Sequence, residues 1–108
     1  MFHIEPMMES MREEVLSMVQ EFYHSDAVCH PVETAVLKRT FEDAVSEDPA
    51  LEGYVLMEGD QIVGFGYTTI YYACEVGGKC LMFEELFLKE ETRGKGYGSR
   101  YFQEIMAR

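Results

Sequence analysis

The chain has 108 residues, 47% hydrophobic and 27% charged, with twenty acids against nine bases and a formal net charge of −11. That length suits one domain spanning residues 1–108, and the acidic balance argues against nonspecific binding to nucleic acid or anionic membrane, whose phosphates the long-range field would repel. No stretch approaches the ~18 apolar residues of a membrane span, and Met1 to Pro6 has neither a basic n-region nor an apolar h-region, so a soluble cytoplasmic protein is expected.

In chain order, a short strand is predicted at Phe2 to Glu5. Met8, Met11, Val15, Val19 and Phe22 then recur at helical spacing, with Ser10 and Glu13 placed as a capping box. This helix is expected to stop near His24 to Asp26. A second begins around Pro31 to Glu33, presents Leu37, Phe41, Ala44 and Val45 on one face, and ends at Asp48-Pro49, because a residue before proline disfavours helical geometry. The period then switches. Gly53 to Glu58 reads as a strand, Gly59-Asp60 as a tight turn and Gln61 to Cys74 as a longer strand. After a Gly77-Gly78 turn, Lys79 to Leu88 returns as a third hairpin-connected strand. A glycine-rich loop, Thr92 to Gly98, leads into a helix with Tyr97, Tyr101, Phe102, Ile105 and Met106 on one side. The order β-α-α-β-β-β-α is an α+β layout with antiparallel strands. The chain stops inside the last helical pattern without a cap, which reads as a missing C-terminal part that would add a parallel strand.

Cys29, Cys74 and Cys80 form no C-x-x-C pair and are expected to be free thiols; His24, Cys29 and His30 match no zinc spacing, so no metal site is expected. The bases are unevenly spread. Arg93, Lys95, Arg100 and Arg108 lie in a closing segment with one acid, Glu104, which points to an anionic ligand at that end and a cationic one elsewhere.

The segment Glu84 to Ser99 carries the chemistry. A glycine-rich turn between a strand and a helix leaves successive amides unpaired with the positive end of the helix dipole behind them. Gly94, Gly96 and Gly98 remove Cβ atoms that would hold a phosphate off the backbone, and Arg93 and Lys95 can add charge. No Lys-Ser or Lys-Thr of a P-loop occurs there, and a dinucleotide fingerprint would need Gly rather than Ser99 and a parallel unit before it.

Arg93-Gly94-Lys95-Gly96-Tyr97-Gly98 resembles the R/Q-x-x-G-x-G/A pyrophosphate motif of the GNAT acyltransferases, and Leu81 to Leu88 resembles the fourth strand of that fold. Its flavour is nearest the polyamine and thialysine-type acetyltransferases. The resemblance covers the whole chain. It implies an acetyl-CoA-dependent N-acetyltransferase that passes the acyl group directly to a primary amine of a small, cationic substrate, with no metal. It further implies that backbone groups of Leu86, Phe87 and Leu88 pair with the pantetheine arm. Amides of Gly94, Lys95, Gly96, Tyr97, Gly98 and Ser99 would hold the pyrophosphate.

An alkylammonium near pKa ~10.4 must lose a proton before attack, and a carboxylate, acting through water, is a suitable base. Glu84 and Glu85 are adjacent on a strand and face opposite sides unless a bulge intervenes. The resemblance to the polyamine enzymes favours Glu84 as the base, with a backbone N–H near Leu86 as oxyanion donor. The family's tyrosine acid would lie beyond Arg108. Glu33, Glu42 and Asp43 fall where such folds build the acceptor pocket and could attract a cation. A different class is also open: a noncatalytic CoA-binding or interaction module whose edge strand, Lys79 to Leu88, pairs with a second copy to give a homodimer.

Overall fold

A change of hydrophobic period at residue 51 divides the molecule. The computed structural model describes residues 1–24, 32–47 and 50–107. Helices of period 3.6 lie before the change and strands of period 2 after it, save the opening strand and closing helix. The order is β1 (Phe2–Pro6), a 3₁₀ turn (Glu9–Met11), α1 (Arg12–Tyr23), α2 (Thr34–Ala44), β2 (Leu51–Glu58), β3 (Gln61–Ala73), β4 (Gly78–Leu88), a second 3₁₀ turn (Glu90–Thr92) and α3 (Tyr97–Met106). The four strands form one antiparallel sheet in the order β1-β2-β3-β4, so β4 has an outer edge without a strand partner among the described residues.

Both faces of the sheet are covered. On one, Val15, Met18 and Val19 of α1 and Leu37, Phe41 and Ala44 of α2 pack on Val55, Met57, Phe65, Tyr67 and Phe87. On the other, Tyr101 and Ile105 of α3 pack on Phe2, Ile4, Tyr54, Leu56 and Val63. Alternation along β2 accounts for this, since Tyr54 and Leu56 point one way and Val55 and Met57 the other. A bulge between β2 and β3 leaves Val63 without a register partner. Gly66 lies directly beneath α3, where an added Cβ would stand 2.2 Å from the Tyr101 hydroxyl.

Several boundaries differ from the sequence expectation. No capping box forms: Ser10 lies within the first 3₁₀ turn, and α1 starts at Arg12 with Met11 as its cap. Arg12 takes over the tethering, its Nε donating to Glu9 at 2.8 Å and its guanidinium to Glu42 at 3.1 Å, while lying over the Phe41 ring. The second helix ends at Ala44, before Asp48 and Pro49, which with Asp26, Cys29, His30, Pro31 and Arg108 lie outside the described residues. Phe102 and Met106 stand on the outer flank of α3 at 36% and 64% exposure, so the buried stripe of that helix is narrower than its apolar one.

Candidate active site

The turn from β4 into α3 is built around two glycines in the left-handed region, Gly94 at φ 83° and Gly96 at φ 79°. A Cβ at either would meet nothing within 4 Å, so both face open space and are required for their backbone angles alone. The predicted loop is shorter than expected, because Thr92 closes a 3₁₀ turn and Tyr97 and Gly98 already belong to α3. The Thr92 amide donates to Lys89, the Arg93 amide to Glu90 and the Arg100 amide to Gly96. Among the described residues, the amides of Gly94, Lys95, Gly96, Tyr97, Gly98 and Ser99 donate to no backbone carbonyl. Six successive amides thus remain available at the positive end of a ten-residue helix.

The basic side chains do something else. Arg93 turns back, its Nε donating to the Leu88 carbonyl at 2.9 Å with the guanidinium near the Phe87 ring. Lys95 reaches Glu58 at 3.3 Å, and the Tyr97 hydroxyl donates to the same carboxylate. These partners, Tyr97 foremost, hold the Glu58 carboxyl below its usual range. Arg100 lies over the Phe2 ring, 4.7 Å from its centre. Charge in the turn is therefore engaged in fastening it to β1, β2 and β4, and the backbone amides are the donors left without partners.

Beside the turn runs the outer edge of β4. The Lys89 amide bonds the Val63 carbonyl at 2.8 Å. By the alternation of an antiparallel ladder, Phe87 directs its backbone groups to β3, whereas Leu86 and Leu88 direct theirs outward. The three residues singled out from the sequence thus differ: Leu86 and Leu88 can pair with an extended ligand arm, and Phe87 serves the core, stacked on Phe65.

Upstream the ladder is interrupted. Tyr67 pairs with Glu85 and Thr68 with Phe83, which leaves Glu84 as the extra residue of a bulge. Strict alternation therefore fails at this point, and the charges of both carboxylates act on Tyr23, whose hydroxyl is held above its usual range first by burial and then by its bond to Glu85. Glu84 is exposed. Glu85 is half-buried on the α1 side, where the Tyr23 hydroxyl donates to its Oε2. Burial pushes the Glu85 carboxyl above the usual range and the Glu84 charge acts the same way, while the bond from Tyr23 pulls it back. Sequence reasoning missed Glu85, Tyr23 and Tyr67 as a group, because the bulge that joins them has no signature in residue type.

Other acidic positions are arranged differently from expectation. Glu42 is held by Arg12, whereas Glu13, Glu14 and Glu21 of α1 line a cavity of about 540 Å³ with Lys89, Glu90 and Glu91. Cys74 and Cys80 are free, and no metal-binding group of three or more His, Cys, Asp or Glu is found among the described residues. No helix is long and apolar enough to cross a membrane.

The chain thus folds as an antiparallel sheet between two helix layers, with a glycine turn of free amides at the foot of α3. Residues 13–108 match the Acetyltransferase (GNAT) family, and the chain belongs to that family of enzymes. A possible acetyltransferase from Clostridium difficile 630 superposes with a TM-score of 0.83 at 14% identity, over 98% of this chain and 69% of that one. A predicted acetyltransferase with acetyl-CoA from Clostridium acetobutylicum gives 0.78 at 12% identity, over 99% and 72%. An aminoglycoside antibiotic 6'-N-acetyltransferase from Acinetobacter baumannii gives 0.76 at 15% identity, over 99% and 70%. At these identities the likeness is one of fold. No curated protein matches the sequence.

Proposed function

We propose that the chain is a single cytoplasmic domain that binds acetyl-CoA and serves direct acetyl transfer to the primary amine of a small cationic molecule. The observation that carries this reading is the run of six free amides from Gly94 to Ser99 beside the outward backbone of Leu86 and Leu88. A diphosphate needs many short donors converging without side chains in the way, and the amides supply them at the end of a helix dipole. The extended pantetheine arm lies along β4, as an added strand would. Acetyl-CoA supplies the thioester carbonyl; the Leu86 amide, directed outward, is the donor placed for a developing oxyanion.

Glu84 is the base that the resemblance to polyamine enzymes favours, and its exposure suits proton exchange through water. The same resemblance and the acidic lining of α1 favour a polyamine-like or thialysine-like acceptor. The outer edge of β4, expected to pair over Lys79 to Leu88, has no strand partner among the described residues, and its part from Lys79 to Phe83, clear of the pantetheine arm, is the basis for a homodimer. Sedimentation as a compact monomer rejects that pairing. For the main reading, acetyl-CoA raises the melting temperature and Gly96→Glu abolishes the rise by placing a side chain and a negative charge among the amides; no rise at millimolar ligand overturns it.

A further inference from the structure

Glu85 is fastened at one oxygen and free at the other. Its Oε2 accepts from Tyr23, whereas Oε1 is withdrawn from solvent and has no hydrogen-bond partner among the described residues. Tyr67 stands directly across the ladder, 2% exposed, and its hydroxyl is likewise buried without a partner. Buried polar atoms are costly to leave unpaired, so a fold that keeps two of them on directly opposed residues is shaped for a ligand that pairs with them. Three elements converge here: α1 through Tyr23, β3 through Tyr67, and β4 through both Glu85 and its bulged neighbour Glu84. A carboxylate oxygen and a phenol oxygen offered together complement a group with several N–H bonds and a positive charge, which is an alkylammonium.

We propose that Glu85 Oε1 binds the ammonium of the acceptor and takes the proton it must lose, with Tyr67 as a second acceptor and Tyr23 as the positioning residue that holds the carboxylate. This assignment rests on the acetyltransferase reading of the same site and moves the acid–base role from Glu84 to Glu85. In the step, one N–H bond breaks, its electron pair stays on nitrogen as the nucleophilic lone pair, and the proton forms an O–H bond on Oε1. Desolvation raises the basicity of Glu85 above that of an ordinary carboxylate, and Glu84, exposed beside it, contributes charge that favours a cation.

The test is a carbon-detected titration of the glutamate carboxyls in the full chain, with n-butylammonium as probe and tetramethylammonium as a cation of equal charge without N–H. Butylammonium is expected to shift the Glu85 carboxyl resonance and lower its titration midpoint, more than it does for Glu84, and tetramethylammonium is expected to leave Glu85 unmoved. Tyr23→Phe raises the Glu85 midpoint, because the donated bond that favours the charged form is gone. Glu85→Gln weakens butylammonium binding by about ten- to a hundredfold. A Glu85 signal indifferent to butylammonium, or a response confined to Glu84, overturns the assignment even if Glu85→Gln fails to fold. The acetyl-CoA melting shift, read on the same sample, separates the two ideas: a normal shift with an indifferent Glu85 rejects only the carboxylate's role, and an absent shift with a responsive Glu85 rejects the transferase reading.

Discussion

The two ends of the candidate site use opposite chemistry on one strand. Past Leu88, the side chains of Arg93 and Lys95 are turned onto Leu88 and Glu58, and the backbone is left available. At the bulge the backbone is irregular, and two side-chain oxygens, Glu85 Oε1 and the Tyr67 hydroxyl, are without a hydrogen-bond partner among the described residues instead. A diphosphate presents many acceptors and is gripped by many equivalent amides; an amine presents one reacting nitrogen and needs a single basic atom. Position in the ladder decides which kind of group each end offers.

The comparison breaks most completely if the floor shared by both ends is removed. Phe65 is fully buried and touches Phe22, Tyr67 and Phe87, so Phe65→Ala is expected to cost about 3–5 kcal/mol in chemical denaturation and to abolish acetyl-CoA and amine binding together. Retention of either would mean that the two ends are supported separately. Gly98→Ala tests the backbone end alone. A Cβ there would lie 3.6 Å from Leu86, an ordinary contact, and Gly98 is helical without a positive φ. The substitution should therefore stabilise the free protein by about 0.5–1 kcal/mol while shrinking the acetyl-CoA shift. A gain in both would show that no phosphate approaches residue 98.

The side-chain end is sharpened by pH. Because the folded Glu85 carboxyl is raised above its unfolded value, its stabilising contribution is full below the ordinary carboxylate range and is lost as pH rises through the raised value. Glu85→Gln removes the buried charge, so its stability relative to the parent should grow from acidic to neutral pH. A difference independent of pH would mean that Glu85 is not buried as a carboxylate. The smallest effect is expected for Lys95→Met, which removes a solvent-exposed partner of Glu58: acetyl-CoA affinity should change by less than about threefold. A tenfold loss in isothermal titration would show that Lys95 leaves Glu58 to meet the ligand.

The unequal legibility of the two ends follows from the same contrast. Glycine spacing announces a backbone site, because positive φ at Gly94 and Gly96 is a property of residue type, and the antiparallel strands were visible in their period and turns. The bulge was not, since Tyr67-Thr68 and Phe83-Glu84-Glu85 read as uninterrupted strand, and slipping the register by one residue depends on packing across the sheet. The helix end was legible near His24, whereas Tyr23 just before it was not legible as a partner of Glu85, 62 positions away. The cap of α1 was misjudged because the chain enters the helix through a 3₁₀ turn, Glu9–Met11, that takes up Ser10.

The bare backbone at Gly66 sets how low α3 can ride over the sheet. The helix carries the free amides on its first turn, so their height above the strand edge is adjusted from the far side of the ladder. A single methyl introduced by Gly66→Ala would meet Tyr101 and act as a shim, tilting the first turn of α3 relative to Leu86 and Leu88. On the proposed reading, affinity for a diphosphate is then set in part at Gly66, a residue outside the turn itself.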